Sequence, residues 1–552
     1  MKALLKTITT SEWRFVCWLT LAVLALTGLP YLYGSWSAPA GTTYDGLHAL
    51  APGDVPVYYS YLYQIKAGEV LVKDLFTDEP QPLGTFNVWW FLVGTVARWL
   101  NLSPPLAFQL SRLLMIPVFT AVAYVFLSYI FSERAQRQLA LVFLLFSSGL
   151  GVYAAGLLKV ASVTDAETYR WPIDLWITEA VTFNALYQTP HFIASLTLML
   201  LIFLLTLLAW ERHRVSYAVV GGLLALFYFN FHPYYWPVIF GVLGLYLAIK
   251  TWQAKKILWW QAGYLGLVFL ISLPSIAYHV WLLSSSPVIG QRALQNVTAI
   301  SPWPFVLIGY GLLWPGLIVG VFYAWKKQHM NHQLQFLLVW FVVAVALIYS
   351  PLPFHSRYTQ GLHVVLVTFT VVGLSGIWDD CRLRLTPGRF DFWFRNPTLW
   401  LLLFLGFFGA SNLYSVARDL YYFSAKPAVV EPIFYLPNDA VVAMSWLGGQ
   451  PAGTVLAAEI PSKFLPGFSG HVVYAAHDDE TLYFEAKQPL VFWFYADNKN
   501  DQAKQRFLLD RQISYVFYSA YERELGSFNP AGKDYLELVF DTPTAQIYRV
   551  NR

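Results

Sequence analysis

Charge is scarce in this chain. Only 12% of its 552 residues are Asp, Glu, Lys or Arg, while 57% are hydrophobic and 18% aromatic. An ordinary globular protein carries about 25% charged residues, so a wholly water-facing enzyme is excluded. Cysteine is nearly absent too. Cys17 falls in an apolar run and Cys381 in a basic stretch, so there is no disulfide framework and no C-x-x-C pair for zinc or redox chemistry. No Walker A or Rossmann glycine pattern occurs, which removes the usual nucleotide-phosphate cradle. Internal repeats, heptad runs and low-complexity tracts are missing as well, and no nucleic-acid partner is expected.

What the chain has in quantity is long apolar runs. A hydrocarbon layer of about 30 Å needs roughly 20 apolar residues per helix. Runs of that kind fall at 14–34, 106–131, 139–158, 191–210, 215–231, 234–250, 257–278, 303–325, 334–350, 361–378 and 397–415, giving eleven expected spans. The first lacks a small-residue cleavage site after a short apolar core and reads as a retained anchor. Segment 87–101 is short for a span, and Trp89, Trp90 and Trp99 suit the headgroup level, so it reads as a helix lying in the interface.

The basic residues orient these spans. With an inner N-terminus, the inner side holds Lys2, Lys6, Arg14, Arg134, Arg137, Arg212, Arg214, Lys250, Lys255, Lys256, Lys326, Lys327, Arg382, Arg384, Arg389 and Arg395. The outer side of the membrane region keeps Lys66, Lys73, Arg98, Arg112, Lys159, Arg170, Arg292 and Arg357. Sixteen against eight is the positive-inside asymmetry of a multi-pass protein of the cytoplasmic membrane. Segments 35–105, 159–190, 279–302, 351–360 and all residues beyond 416 then face outward. The expected fold is a polytopic α-helical membrane protein, with a membrane domain over 1–416 and an extracytoplasmic α/β or α+β domain over 417–552. In the latter, strands are expected near Thr454-Ala458, His471-Tyr474, Val491-Tyr495, Ser514-Tyr518, Tyr535-Phe540 and Ala545-Val550, and helices after Asn438 or Asp439 and near 501–511.

The outward segments collect the titratable groups. Asp45, Asp54, Glu69, Asp74, Asp78 and Glu79 lie in the first, and Asp165, Glu167, Asp174 and Glu179 in the second. Pro190-His191 and His232-Pro233 fall at span ends, and Pro353-Phe354-His355-Ser356-Arg357-Tyr358 follows the ninth span. A carboxylate near lipid headgroups is suited to act as a general base. Arginine is the residue best shaped to hold a phosphate.

One span, an outer acidic loop with an interfacial helix, a second span opening Ser111-Arg112-Leu113-Leu114, many further spans and an extracytoplasmic C-terminal domain together resemble the GT-C superfamily. That superfamily of membrane glycosyltransferases includes protein O-mannosyltransferases, aminoarabinose transferases and oligosaccharyltransferases. The resemblance covers about three quarters of the chain and is strongest over Asp54, Tyr58, Gln64, Gly68, Lys73-Asp74 and Thr77-Asp78-Glu79; its nearest branch is the bacterial family-39-like, mannosyltransferase-like set. It implies transfer of a sugar from a polyprenyl-phosphate donor to an extracytoplasmic glycan, lipid or protein, with Asp54 as the base. Val55 follows Asp54, where the O-mannosyltransferase pattern places a second acid. Glu79, Asp174 and Glu179 are the candidate supporting acids. Arg357, Tyr358, His191, His232, His355 and Tyr58 are the candidate substrate contacts. GT-C members differ in their use of a divalent metal ion, and no ligand spacing here decides its need, so metal ligands stay unassigned.

Each residue also has a plainer role. Asp54 before Val55-Pro56 can cap a helix, Glu79 before Pro80 can be a turn residue, and the histidines can satisfy backbone groups at helix ends. Arg357 can reach for headgroups. A transporter or flippase for a lipid-linked or free sugar is the alternative from another class, and a non-catalytic polysaccharide-assembly protein is a third. Transporters favour inverted repeats, helices broken near the midplane and intramembrane charges; none of these is visible in the sequence, and the ionisable residues gather at span ends.

Overall fold

The computed structural model describes residues 1–158, 164–165, 168–296, 298–326, 330–384, 397–426 and 432–551. Lys159, Glu167, Lys327, Arg389 and Arg395 lie outside the described residues. Among those described, seven helices are long and apolar enough to cross a membrane: Thr10–Trp36, Pro104–Ile130, Arg134–Ala155, Pro190–Arg212, Pro233–Ala254, Trp259–Ser285 and His355–Cys381. Two bent pairs qualify when joined, Trp303–Tyr310 with Leu313–Lys326 and Thr398–Phe407 with Ala410–Tyr422, bent by 75° and 76°. At the two remaining expected places lie the apolar helices Val215–Phe231 and His332–Ile348, which are shorter than the others, so seven to nine spans are seen among the described residues where eleven are expected.

The chain divides into two compact units. The first comprises residues 1–28, 112–278 and 297–418 and is helical. Its helices approach closely through glycine. A Cβ on Gly320 would lie 1.9 Å from the Phe369 carbonyl oxygen, and one on Gly316 would lie 2.2 Å from Thr370 Oγ1. Small residues of this kind let backbones pack without a hydrophobic driving force. The breaks are matched to one another. Leu150 N–H donates to the Ile308 carbonyl at 2.9 Å, and Asn412 Nδ2 donates to the Phe146 carbonyl at 2.9 Å. Gly311 takes φ +49° where the first bent pair turns. Freed backbone groups are thus satisfied by neighbouring breaks, as irregular backbone inside a bundle requires. Glu12 pairs with Arg137 at 3.4 Å and accepts from Tyr124 Oη at 2.7 Å. This buried pair sets the starts of the first and third long helices side by side, as alternating spans demand.

The second unit comprises residues 29–111, 279–296 and 419–551 of the described chain. The acidic loop and the C-terminal residues therefore share one core. Strand Thr42–Tyr44 pairs antiparallel with Tyr435–Pro437. Helix Val55–Ala67 packs on Glu459–Ser469, where a Cβ on Gly467 would sit 2.7 Å from Tyr59 Cβ. Its other neighbour is helix Val88–Trp99, whose Gly94 meets Ile65. A five-stranded sheet runs in the order Val472–Val473, Thr454–Leu456, Ile513–Tyr518, Gln546–Val550, Leu536–Asp541. The first three strands are parallel and the last two antiparallel to their neighbours.

Five of the six expected C-terminal strands coincide with this sheet or its edges. The sixth does not. Val491–Tyr495 belongs to helix Phe484–Ala496. Its aromatic run has strand propensity, but Phe494 and Tyr495 bury against Leu508 and Phe528 from a helical face. A short apolar run does not by itself tell strand from buried helix.

Candidate functional site

In the second unit the acidic loop is organised by cations from distant parts of the chain. Asp54 is the N-cap residue of helix Val55–Ala67, with Pro56 in the first turn, yet its side chain makes no cap hydrogen bond. Its Oδ1 instead faces His477 Nε2 at 3.1 Å, and the Asp54 side chain stays 57% exposed. His477 itself is buried. Its turn is fixed by Thr481, whose hydroxyl accepts from the N–H groups of Ala476 and His477 and donates to the Phe76 carbonyl. His477 Nδ1 lies 3.1 Å from the Asp479 N–H and 3.3 Å from Asp478 Oδ1. Burial opposes the charged ring, but the bond to Asp54 and the surrounding carboxylates outweigh it, and the His477 pKa is pushed up to about 9. Asp479 is raised to about 6 by burial and by Asp478.

Beneath this pair lies a buried ionic cluster. Arg292, on helix Pro287–Gln295, sits 2.7 Å from Glu480 and 3.6 Å from Asp74, and donates to Tyr61 Oη at 3.4 Å. Burial and the Glu480 charge raise the Asp74 pKa against the pull of Arg292. Gln64 bridges both backbone groups of Lys73, accepting at 2.8 Å and donating at 3.0 Å. Gly68 closes the Val55–Ala67 helix at φ +115°, in the left-handed region that favours glycine. Lys487 pairs with both Asp78 and Glu79. Asp45 is buried, its Oδ2 has no hydrogen-bond partner among the described residues, and burial raises its pKa to about 7.

Glu79 is therefore committed to Lys487. Tyr58 stacks on Trp90 and Phe108, at 4.9 Å and 5.9 Å between ring centroids.

The remaining candidates lie in the first unit. Glu179, with 1% of its side chain exposed, pairs with Arg357 at 2.5 Å. The Arg357 guanidinium also sits 5.2 Å over the Phe192 ring. His191 and His232 are neighbours, 5.3 Å apart between ring centroids, and Phe192 lies 5.2 Å from His232. Their helices start or end on the prolines of Pro190-His191 and His232-Pro233, which brings both rings to one aromatic cluster. Tyr358 is buried, whereas His355 turns to the Ser350 carbonyl at 2.8 Å. Asp174 is wholly buried and accepts from the Gly151 N–H at 3.1 Å, so it closes the start of helix Gly151–Leu158. Burial raises its pKa to about 7.

Among the described residues, no set of three or more His, Cys, Asp or Glu side chains is arranged to hold a metal ion. Sequence reasoning missed His477, Arg292, Glu480 and Lys487. A signal existed for the first, the run His477-Asp478-Asp479-Glu480. Arg292 and Lys487 carry no local mark.

No family model and no curated protein matches the chain by sequence. Solved structures do match in fold. The oligosaccharyltransferase of Archaeoglobus fulgidus, tethered to an acceptor peptide, aligns at 12% identity with a TM-score of 0.50, covering 90% of this chain and 69% of its own. The archaeal oligosaccharyltransferase AglB from Archaeoglobus fulgidus, in complex with an inhibitory peptide and a dolichol-phosphate, aligns at 11% identity with the same score and coverage. ArnT from Cupriavidus metallidurans aligns at 12% identity with a TM-score of 0.48, covering 96% of this chain and 98% of that one. At such identities the likeness is one of architecture, and the architecture of this chain is the GT-C fold.

Proposed function

We propose that the chain is a glycosyltransferase that moves one sugar from a polyprenyl-phosphate-linked donor to an acceptor outside the cytoplasm. One observation carries the reading: in a GT-C fold, Asp54 presents a largely exposed carboxylate, hydrogen-bonded by a buried imidazole, at the start of a helix in the acidic loop. The AglB neighbour holds a dolichol-phosphate, which supports a lipid-phosphate donor of the same chemical kind. The positive-inside count supports an outward-facing loop.

In this reading the acceptor hydroxyl attacks the anomeric carbon. The bond from that carbon to the phosphate oxygen breaks, its electron pair leaves with the polyprenyl phosphate, and the hydroxyl proton passes to Asp54. Arg357 is the partner of the phosphate charge. Glu179 positions Arg357 rather than taking a proton, since its buried carboxylate is already paired. Phe192, His191 and His232 form the apolar and aromatic wall beside that guanidinium. Glu79 and Asp174 act within the fold, one on Lys487 and the other on Gly151.

The test is release of free polyprenyl phosphate from a radiolabelled polyprenyl-phosphate sugar by purified protein. Asp54→Asn is expected to lower the rate by about 10²- to 10⁴-fold. Full activity in a folded Asp54→Asn protein removes Asp54 as base. Movement of the sugar lipid across sealed vesicles with no bond cleavage removes the transferase reading itself.

A further inference from the structure

The carboxylate at position 54 has a partner that the proposed chemistry does not yet use. His477 comes from the far end of the chain, is buried, and directs Nε2 at Asp54 Oδ1 over 3.1 Å. Its other nitrogen faces two groups of opposite kind. In the neutral ring Nδ1 accepts from the Asp479 N–H at 3.1 Å, and in the imidazolium Nδ1–H donates toward Asp478 Oδ1 at 3.3 Å. In both forms the proton on Nε2 stays on the bond to Asp54. The ring can therefore change charge without releasing the carboxylate.

We propose that His477 is a positioning residue for the Asp54 base: its Nε2–H holds the carboxylate ionised and aimed, while Nδ1 accepts from the Asp479 amide in the neutral ring and donates toward Asp478 in the imidazolium. The inference rests on Asp54 being the base. Among the described residues, the charges that face His477 can be named. His477 is met by Asp54, Asp478, Glu480 and Asp74, with Asp479 beside it. The Phe76 ring covers one edge at 6.5 Å. On the Asp54 side, Lys463 Nζ approaches Gly53 and is itself paired with Glu459 at 2.7 Å. Arg292 neutralises Asp74 and Glu480 below. Four carboxylates around one imidazole favour its charged form, which in turn favours the charged form of Asp54. The elevated His477 pKa agrees with this geometry.

The arrangement has a kinetic signature. A base must be ionised to act, so the rate rises with pH through the titration of Asp54. Removing a hydrogen-bond donor and a cation from a carboxylate raises its pKa. Over half of the Asp54 side chain meets solvent, which keeps the effect near the low end.

The experiment is the pH–rate profile of full-length wild type, His477→Ala and His477→Gln, with Asp54→Asn as reference, assayed by polyprenyl phosphate release. In His477→Ala the acid limb is expected to move to higher pH by about one unit. In His477→Gln, whose amide can still donate to Oδ1 but cannot titrate, the limb is expected between the two. A merely structural histidine lowers the rate at every pH without moving the limb. A limb unmoved in both folded variants, with Asp54→Asn inactive, overturns the inference and leaves the base assignment intact. An active Asp54→Asn protein removes the base assignment instead, and this inference with it.

Discussion

Replacing Arg292 with methionine tests the ionic bed beneath the Asp54–His477 pair. The guanidinium serves two carboxylates, Glu480 at 2.7 Å and Asp74 at 3.6 Å, whose side chains are 10% and 3% exposed. Removing one partner of a fully buried ion pair costs about 3–5 kcal/mol. The Arg292 side chain is 30% exposed, so water replaces part of the interaction, and about 1–3 kcal/mol is the appropriate range. For a unit of some two hundred residues this is a fall in Tm of roughly 3–10 °C. The loss has a pH signature. Asp74 already has a raised pKa, through burial and then Glu480, and Arg292 is what restrains the rise. A carboxyl with a raised folded-state pKa binds its proton more tightly in the folded form. Its contribution to stability therefore falls as pH climbs from the unfolded value near 3.9 toward the folded one. Without Arg292 the folded value climbs further, so the deficit of Arg292→Met is larger at pH 8 than at pH 5.5. Thermal unfolding of the full chain in detergent at pH 5.5 and pH 8 reads this directly. An equal fall in Tm at both values refutes the reasoning, because a purely steric loss does not depend on the charge of Asp74.

Two further outcomes follow from the first unit. Glu179→Gln keeps the size of the side chain but removes the charge that holds Arg357; the KM for the polyprenyl-phosphate donor is expected to rise by roughly tenfold, and unchanged KM and kcat dismiss the positioning role of Glu179. Gly320→Ala places a Cβ 1.9 Å from the Phe369 carbonyl oxygen, whereas nothing lies within 4 Å of the same atom at Gly266. Folded yield in detergent is expected to fall sharply for Gly320→Ala and to stay at wild-type level for Gly266→Ala; equal yields show that the two helices do not meet at Gly320.

The spans were legible because hydropathy over some twenty residues is a strong and purely local signal. Among the described residues, seven of the eleven expected spans are single helices long enough to cross, and two more are bent pairs broken sharply at Gly311 and the 408–409 turn, while Val215–Phe231 and His332–Ile348 are apolar but shorter. Those bends were not legible. A glycine inside an apolar run reads as a tolerated interruption, and only the partner break at Ser147–Leu150 explains why the chain turns there. The C-terminal sheet was legible where alternation is clear, as in Ile513–Tyr518, and not at Val491–Tyr495, where propensity and burial disagree. Asp54 could be picked out by its place in the loop. Its partner could not, because 423 residues separate them and pairing at that distance is set by tertiary packing alone. Arg292 could be counted as an outer charge, but its task depends on a short helix, Pro287–Gln295, packing beside Asp74.

The same packing separates Asp54 from Asp45, Asp74, Asp78 and Glu79 on physical grounds. Asp78 and Glu79 are held by the ammonium of Lys487, and Asp74 by the guanidinium of Arg292. To take a proton, any of these must give up a partner that stays charged at every physiological pH, and all three are largely shielded from an incoming hydroxyl. Asp45 has no cationic partner among the described residues, but it is buried with a raised pKa, so at neutral pH part of its population is protonated and none of it meets solvent freely. Asp54 is the most exposed carboxylate of these five, with 57% of its side chain open. On the proposed reading, that exposure is what lets an incoming hydroxyl hand its proton to Asp54 rather than to its neighbours.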